Sequence, residues 1–400
     1  MTMRARNIWK KAALKVSNRA LRHHQRVNAW LKSFDGSEQR APYLLRNNPS
    51  TADRRVVHFN GNFSVGGSTQ LIVDLIELMS DSYRQEVIVP FLPPRLPYQP
   101  VDVRAFDTTQ LEEVRSLLKG HRPDLVHIHY WSRAENRFDA TGVWYASVLA
   151  ICAELDLPVI QNVNVPTKPM RGDPIRCNVF VSEFVRSNFD EGAVPSEVIY
   201  PGSDFTHFEQ TEDRGFLDTI GMVYRLDNDK LSARSIEPFI LVARARTSTR
   251  SIIVGEGGLS NYFRHRVEQE GLGDRIHFVG MVSYADLPKW YERMNLFVAP
   301  VHNESFGQVS PFAMSMGLPI AGYDVGALPE ILGSNDTLVD VGDEKALANL
   351  ILELLSAPDQ LSRLGAANRQ RAHALFSRPA MIDRYRRLYS EVLARRVPLA

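Results

Sequence analysis

Two cations, Arg225 and Lys230, follow directly on an apolar run, Ile220-Gly221-Met222-Val223. A strand that ends in an arginine, with a lysine at the start of the next helix, holds two positive charges above a phosphate-sized gap. That pair is suited to neutralising a diphosphate; as plain chemistry it is also how solvated ends of a strand and a helix look. A second group lies in 304–330, ESFGQVSPFAMSMGLPIAGYDVGALPE. An apolar strand at 296–300 runs into the polar turn His302-Asn303-Glu304-Ser305. Phe306, Val309, Phe312, Ala313 and Met316 then recur at helical spacing, with Gly317 as the C-cap. Proline is tolerated only in a helix's first turn, so Pro311 puts the start no earlier than Gly307, with Ser310 as N-cap. The amides of Phe306 to Val309 then sit at a strand-to-helix turn, free to meet an anion. An ordinary strand–turn–helix is the alternative for this stretch.

The rest of the chain alternates strand and helix, which calls for parallel sheets. Strands are predicted at 55–59, 86–90, 124–129, 158–163, 178–182, 251–254, 275–282 and 319–322. Helices are predicted at 70–79, 109–119, 143–154, 286–294 and 379–396. Gly66-Gly67 falls between the first strand and the first helix, the place of a Rossmann phosphate loop, although a tight turn explains the pair equally well. His127 and His129 share one strand face. They are half of a metal site in composition, but no third ligand is recognisable nearby.

The chain has 400 residues, 44% hydrophobic and 23% charged, enough for two α/β domains. A net charge of +1 means that the whole molecule is no polycation, and no nucleic-acid partner is expected. The cysteines, Cys152 and Cys177, give no disulfide framework and fit a reducing cytoplasm. No run reaches the roughly 18 apolar residues of a membrane span, and the N-terminus lacks the apolar core of a signal peptide. Residues 1–34 carry nine Lys or Arg and no acid, interleaved with Trp9, Leu14, Val16 and Trp30. Three readings fit: an amphipathic helix on an anionic membrane surface, a solvated helix packed on the enzyme, or a disordered basic leader.

Glu304-Ser305-Phe306-Gly307, Ala313-Met314, Gly317-Leu318-Pro319 and Gly326-Ala327-Leu328-Pro329-Glu330 together resemble the signature of family-4 retaining glycosyltransferases. The resemblance implies an α/β GT-B fold, two Rossmann-like domains facing a deep cleft. It divides the chain into a basic extension and linker (1–50), an acceptor domain (51–205), a donor domain (206–378) and a C-terminal helix (379–400) crossing back to the first domain. The implied activity is metal-independent transfer of a sugar, with retention, from a nucleoside-diphosphate sugar to a carbohydrate or lipid-linked acceptor. Cell-surface polysaccharide or glycoconjugate synthesis would be the setting. The nucleotide sugar is a substrate; no cofactor and no metal are implied, so Asp227-Asn228-Asp229 is read as a surface turn.

By the same resemblance, Arg225 and Lys230 hold the diphosphate and Glu304 sits over the donor sugar. Gly66, Gly67, Ser305, Phe306, Gly307, Gln308 and Val309 line the donor, and backbone groups of Met281 and Val282 hold the base. His129, last in an Asp-x-x-His-x-His run, faces the acceptor. One departure stands out: the second glutamate of the family's Glu-x7-Glu motif, the usual ribose ligand, is Phe312 here. Two other functions follow from the same fold, a partner subunit that binds nucleotide sugar without turnover and a nucleotide-sugar 2-epimerase. The location implied is the cytoplasm, with peripheral attachment to the membrane's inner face if residues 1–34 bind it.

Overall fold

The computed structural model describes residues 43–44, 52–64, 66–99, 101–131, 140–208 and 215–394. The basic segment 1–34 and most of its linker lie outside the described residues. The chain forms two compact units, one of Met1–Phe180, Phe189–Glu197 and Arg386–Ala400, the other of Val181–Asn188 and Val198–Tyr385.

The first unit is built on a seven-stranded sheet. Its strands are β1 (Arg55–Asn60), β2 (Arg84–Val89), β3 (Val103–Ala105), β4 (Leu125–Tyr130), β5 (Val159–Val163), β6 (Ile175–Phe180) and β7 (Ser196–Val198). Their order is β3-β2-β1-β4-β5-β6-β7, and β1 pairs in parallel with both β2 and β4. Parallel strands need crossovers, and α1 (Gly67–Leu78), α2 (Leu111–His121) and α3 (Ala140–Glu154) provide them. Helices on the faces bury the central strands from both sides, so β4 and β5 are buried at every position. Val57, Phe59, Ile128, Trp144, Tyr145 and Val148 form the centre of one core layer.

The second unit holds a six-stranded sheet. Its strands are β8 (Thr219–Val223), β9 (Arg250–Val254), β10 (Ile276–Gly280), β11 (Leu296–Ala299), β12 (Ile320–Tyr323) and β13 (Leu338–Val339). The order is β10-β9-β8-β11-β12-β13, with every recorded pairing parallel. Its helices are α4 (Glu183–Phe189), α5 (Glu237–Ala245), α6 (Ser260–Gln269), α7 (Leu287–Tyr291), α8 (Val309–Ser315), α9 (Leu328–Leu332), α10 (Glu344–Leu355) and α11 (Pro358–Leu375). The last helix, α12 (Arg378–Ala394), starts in this unit; from Arg386 onward its residues belong to the first. There Arg386 donates to the Leu78 carbonyl at 2.6 Å and to Ser82 Oγ at 2.8 Å, at the C-terminal end of α1. No helix among the described residues is long and apolar enough to cross a membrane.

Several predicted bounds shift. α8 begins at Val309, with Gln308 as N-cap, so Pro311 is its third residue and Ser310 caps nothing. Pro311 still lies in the first turn, where its missing N–H costs no hydrogen bond. The helix ends as expected, with Gly317 in the left-handed region at φ +68. Lys230 does not open a helix: it lies in a turn, and the next element is a 3-10 segment at Ala233–Ile236.

Candidate active site

The turn after β11 is shaped by one side chain, Glu304. Only 2% of it is exposed, and both carboxylate oxygens accept from Lys230 Nζ, at 2.9 and 3.0 Å. Phe306 N donates to the same carboxylate at 3.3 Å. Two glycines make room for it. Gly307 is left-handed (φ +67), and a Cβ there would come within 2.2 Å of Glu304 Oε2; Gly326 (φ +58) would place a Cβ 2.0 Å from the Glu304 carbonyl. Both positions demand glycine by space and by backbone conformation. Ala327 N donates to that same carbonyl at 2.9 Å, tying the start of α9 to the turn. Lys230 is anchored through its backbone, since its carbonyl accepts from His302 N at 2.8 Å. A buried carboxylate held by an ammonium and an amide keeps its charge at a fixed place, which is what stabilising a developing positive centre requires.

Arg225 is placed differently. Its guanidinium lies 3.1 Å from Asp227 Oδ2 and also pairs with Asp229, while 59% of its side chain remains exposed. Asp227 further accepts from Gly258 N at 2.6 Å. The Asp227-Asn228-Asp229 turn is thus a holder for Arg225, a role the sequence reading missed. Lys230 and Glu304 are brought together in one cluster; Arg225 is held beside them in sequence by its own carboxylates.

The base-side residues follow the end of a strand. β10 stops at Gly280 (φ +83), two residues short of the predicted bound, because Gly255 N takes its carbonyl at 2.9 Å. Met281 projects beyond the sheet with 71% of its surface exposed, one of the most exposed apolar side chains described. Phe312 is 7% exposed. It stacks on Phe208 (4.2 Å between centroids, 22° between planes) and meets Phe205 and Tyr284 edge-on. The helix position that would offer a carboxylate is therefore the centre of an aromatic cluster.

In the first unit, Gly66 is the N-cap of α1 in extended backbone, and added Cβ atoms at Gly66 and Gly67 would meet nothing within 4 Å. Neither space nor conformation forces glycine there. His129, expected on the acceptor side, is wholly buried. The pleat that puts it on the face of His127 turns both toward the helix-covered side of the sheet rather than toward solvent. It therefore offers an acceptor no exposed surface.

A third histidine does exist, against the expectation of two. His58 on β1 is register partner of His127, and the three imidazoles bring nitrogens within 4.8 Å of one another. Their protons are set by one fixed amide. Gln85 donates its nitrogen to the Leu75 carbonyl, so its oxygen must accept from His58 Nε2 at 2.9 Å. His58 Nδ1 then accepts from His129 Nε2 at 3.0 Å, which leaves His129 Nδ1 unprotonated and without a partner. His127 spans Tyr389 Oη and Asn162 Oδ1, 2.7 Å on each side. Burial, with the neighbouring imidazoles second, holds His127 and His129 well below the ordinary range, and burial brings His58 down to about 4. Five of the six ring nitrogens are committed to hydrogen bonds, so the cluster is a neutral network rather than a vacant metal centre. A histidine inside the apolar run Val56-Val57-His58-Phe59 was the signal for it.

Tyr224, next to Arg225, is the other residue that the sequence did not single out. Its hydroxyl is fully buried, and burial followed by the Glu304 charge pushes its ionisation far up. The phenol is buried without a hydrogen-bond partner among the described residues.

Residues 205–371 match the family described as glycosyl transferases group 1. The matched residues lie within the second unit. Among characterised relatives, the lipopolysaccharide core biosynthesis mannosyltransferase LpsB of Rhizobium meliloti is 30% identical over 194 residues, 44% of this chain and 54% of that protein. The D-inositol 3-phosphate glycosyltransferase of Thermobifida fusca is 24% identical over 291 residues, 63% of this chain and 66% of that one. The chain thus spans about half of the first of these two relatives and about two-thirds of the second. Among solved structures, Anabaena HepE in complex with UDP superposes with a TM-score of 0.69 at 16% identity, over 84% of this chain and all of that one (100%). Sucrose-phosphate synthase from Thermosynechococcus elongatus gives 0.64 at 18% identity, over 86% and 100%. These likenesses establish the fold: two parallel-sheet Rossmann-like units, as in GT-B glycosyltransferases.

Proposed function

We propose that the chain is a retaining glycosyltransferase that moves a sugar from a nucleoside-diphosphate sugar to a glycan or lipid-linked acceptor without a metal ion. The observation that carries this reading is the Lys230–Glu304 pair inside a strand-to-helix turn, with the Gly307 to Val309 amides following it while Phe306 N is taken by Glu304. The UDP bound to the Anabaena structure and the mannosyl transfer in the name of the Rhizobium relative support the same substrate class.

In this mechanism the anomeric C–O bond breaks and its electron pair stays on the departing β-phosphate. Lys230 and the amides at the start of α8 stabilise that charge, and Arg225 joins them by exchanging its aspartates for phosphate oxygens. Glu304 binds sugar hydroxyls and balances positive character at the anomeric carbon. The acceptor hydroxyl attacks from the leaving-group face and gives its proton to the phosphate oxygen. Met281 and Val282 present backbone to the base. Phe312 gives the ribose an aromatic wall in place of a carboxylate.

The test is release of free nucleoside diphosphate from a panel of nucleotide sugars, with chelator present, for wild type and Glu304→Ala. Metal-independent release by wild type that falls about a hundredfold in the variant supports the reading; equal release by both ends it. Arg225's commitment to two carboxylates favours a second reading, a nucleotide-sugar-binding partner subunit, which predicts binding without release by wild type. For residues 1–34 the proposal is contact with an anionic membrane surface. Truncation then abolishes binding to vesicles containing anionic phospholipid, and undiminished binding would remove the idea.

A further inference from the structure

Glu330, on α9, has no role in the chemistry above, yet both of its carboxylate oxygens are bonded. It accepts from two consecutive amides at the start of α4, Glu183 N at 2.6 Å and Phe184 N at 3.0 Å. Burial, with the Glu330 carboxylate second, raises the ionisation of the neighbouring Tyr200 phenol. Its own backbone is pinned, because Arg371 donates to the carbonyls of Glu330 and Ile331, both at 2.8 Å. The segments around it are special in the chain. Val181–Asn188, which contains α4, is flanked in sequence by residues of the first unit, and Tyr200 follows just after the chain re-enters the second unit at Val198.

Both segments end on the two residues that follow Glu304. Ser182 Oγ donates to the Ser305 carbonyl at 2.6 Å, and the Tyr200 ring stacks on Phe306 (5.7 Å, 22°). Phe376, just before α12, meets Tyr200 and Phe306 edge-on at 5.2 and 5.5 Å. Ser203 N donates to the Phe376 carbonyl at 2.8 Å and fixes that third stretch to the second. Three stretches near the points where the chain passes between the units therefore meet at Ser305 and Phe306, and the Glu330 carboxylate holds one of them, the start of α4, through two amides.

We infer that Glu330 is a positioning residue for the transfer site. By fixing the start of α4, and with it Ser182, it sets the Ser305–Phe306 peptide, and so the direction of the amides from Phe306 to Val309 and of the Glu304 carboxylate. For its catalytic readout the inference rests on the transferase reading. A carboxylate can accept from both α4 amides at once; a carboxamide in the same place turns one N–H toward a donor and leaves an amide unpaired.

The experiment compares wild type with Glu330→Gln by hydrogen exchange and by steady-state release of nucleoside diphosphate. Exchange of the amides at 306–309 should accelerate about tenfold while the rest of the β8–β12 sheet stays protected. The value of kcat should fall about tenfold with the donor KM within about twofold, the split expected when a group acts on the transition state through another. Ser182→Ala, which loosens the same peptide from its other contact, should show the same pattern. Unchanged exchange at 306–309 overturns the inference, as does acceleration spread evenly over the unit. If wild type releases no nucleoside diphosphate from any donor, the transferase reading fails, and the exchange measurement still decides this one.

Discussion

Lys230 Nζ lies 2.9 Å from one carboxylate oxygen of Glu304 and 3.0 Å from the other, across 74 residues of sequence. The carboxylate is 2% exposed and the lysine 35%, so the pair is asymmetric: the acid depends on the base more than the reverse.

That asymmetry predicts a stability signature. Lys230→Ala leaves a buried carboxylate unpaired and should destabilise the second unit by about 2 kcal/mol, below the figure for a fully buried pair because water reaches the lysine side. Glu304→Gln should cost less, and the double variant should recover part of the Lys230→Ala loss. Denaturant unfolding of the three variants measures the cycle; additive losses would mean that the pair is not coupled.

Gly307→Ala tests how tightly the turn is packed. The substitution adds a methyl within 2.2 Å of the Glu304 carboxylate at a left-handed φ of +67. It should destabilise by about 1–2 kcal/mol from backbone strain alone. The carboxylate must also move, so turnover should drop even where the variant is fully folded.

Phe312 occupies the place where a ribose-binding glutamate is expected. Phe312→Ala should cost about 3–5 kcal/mol, the range for emptying a packed aromatic site. Phe312→Glu should cost more rather than restore a ribose contact, because Phe205, Phe208 and Tyr284 surround that position and none is a cation. A Phe312→Glu protein that is as stable as wild type and binds nucleotide more tightly would show that the cluster opens readily.

The buried histidines predict a pH dependence. The pKa of His58 is lowered from 6.5 to about 4 by burial, and those of His127 and His129 are lowered in the same direction. Between these values the unfolded chain binds protons that the folded one does not, so stability rises with pH. The His58 contribution is complete above 6.5 and lost progressively as pH falls toward about 4, on the order of 3 kcal/mol over the window. Unfolding by urea at pH 7 and pH 5 should show the loss, and His58→Gln should flatten it. Equal slopes in the two proteins would remove the histidines from the explanation.

What the sequence determined by itself was the local and periodic part. The alternation of buried runs with helical spacing gave both parallel sheets, since crossover helices and doubly covered strands leave that pattern in any order of residues. Gly307, Gly326 and Glu304 were legible as parts of a recurring motif, and Lys230 as a cation following a strand, although the helix expected to start at it is a turn. Only the tertiary structure decided which partners they have. Arg225 is held by Asp227 and Asp229, His58 joins His127 across a strand pair, and Glu330 reaches α4 over 147 residues. Such pairings depend on side-chain directions and sheet register, and a string of residues does not carry distances between positions far apart along it.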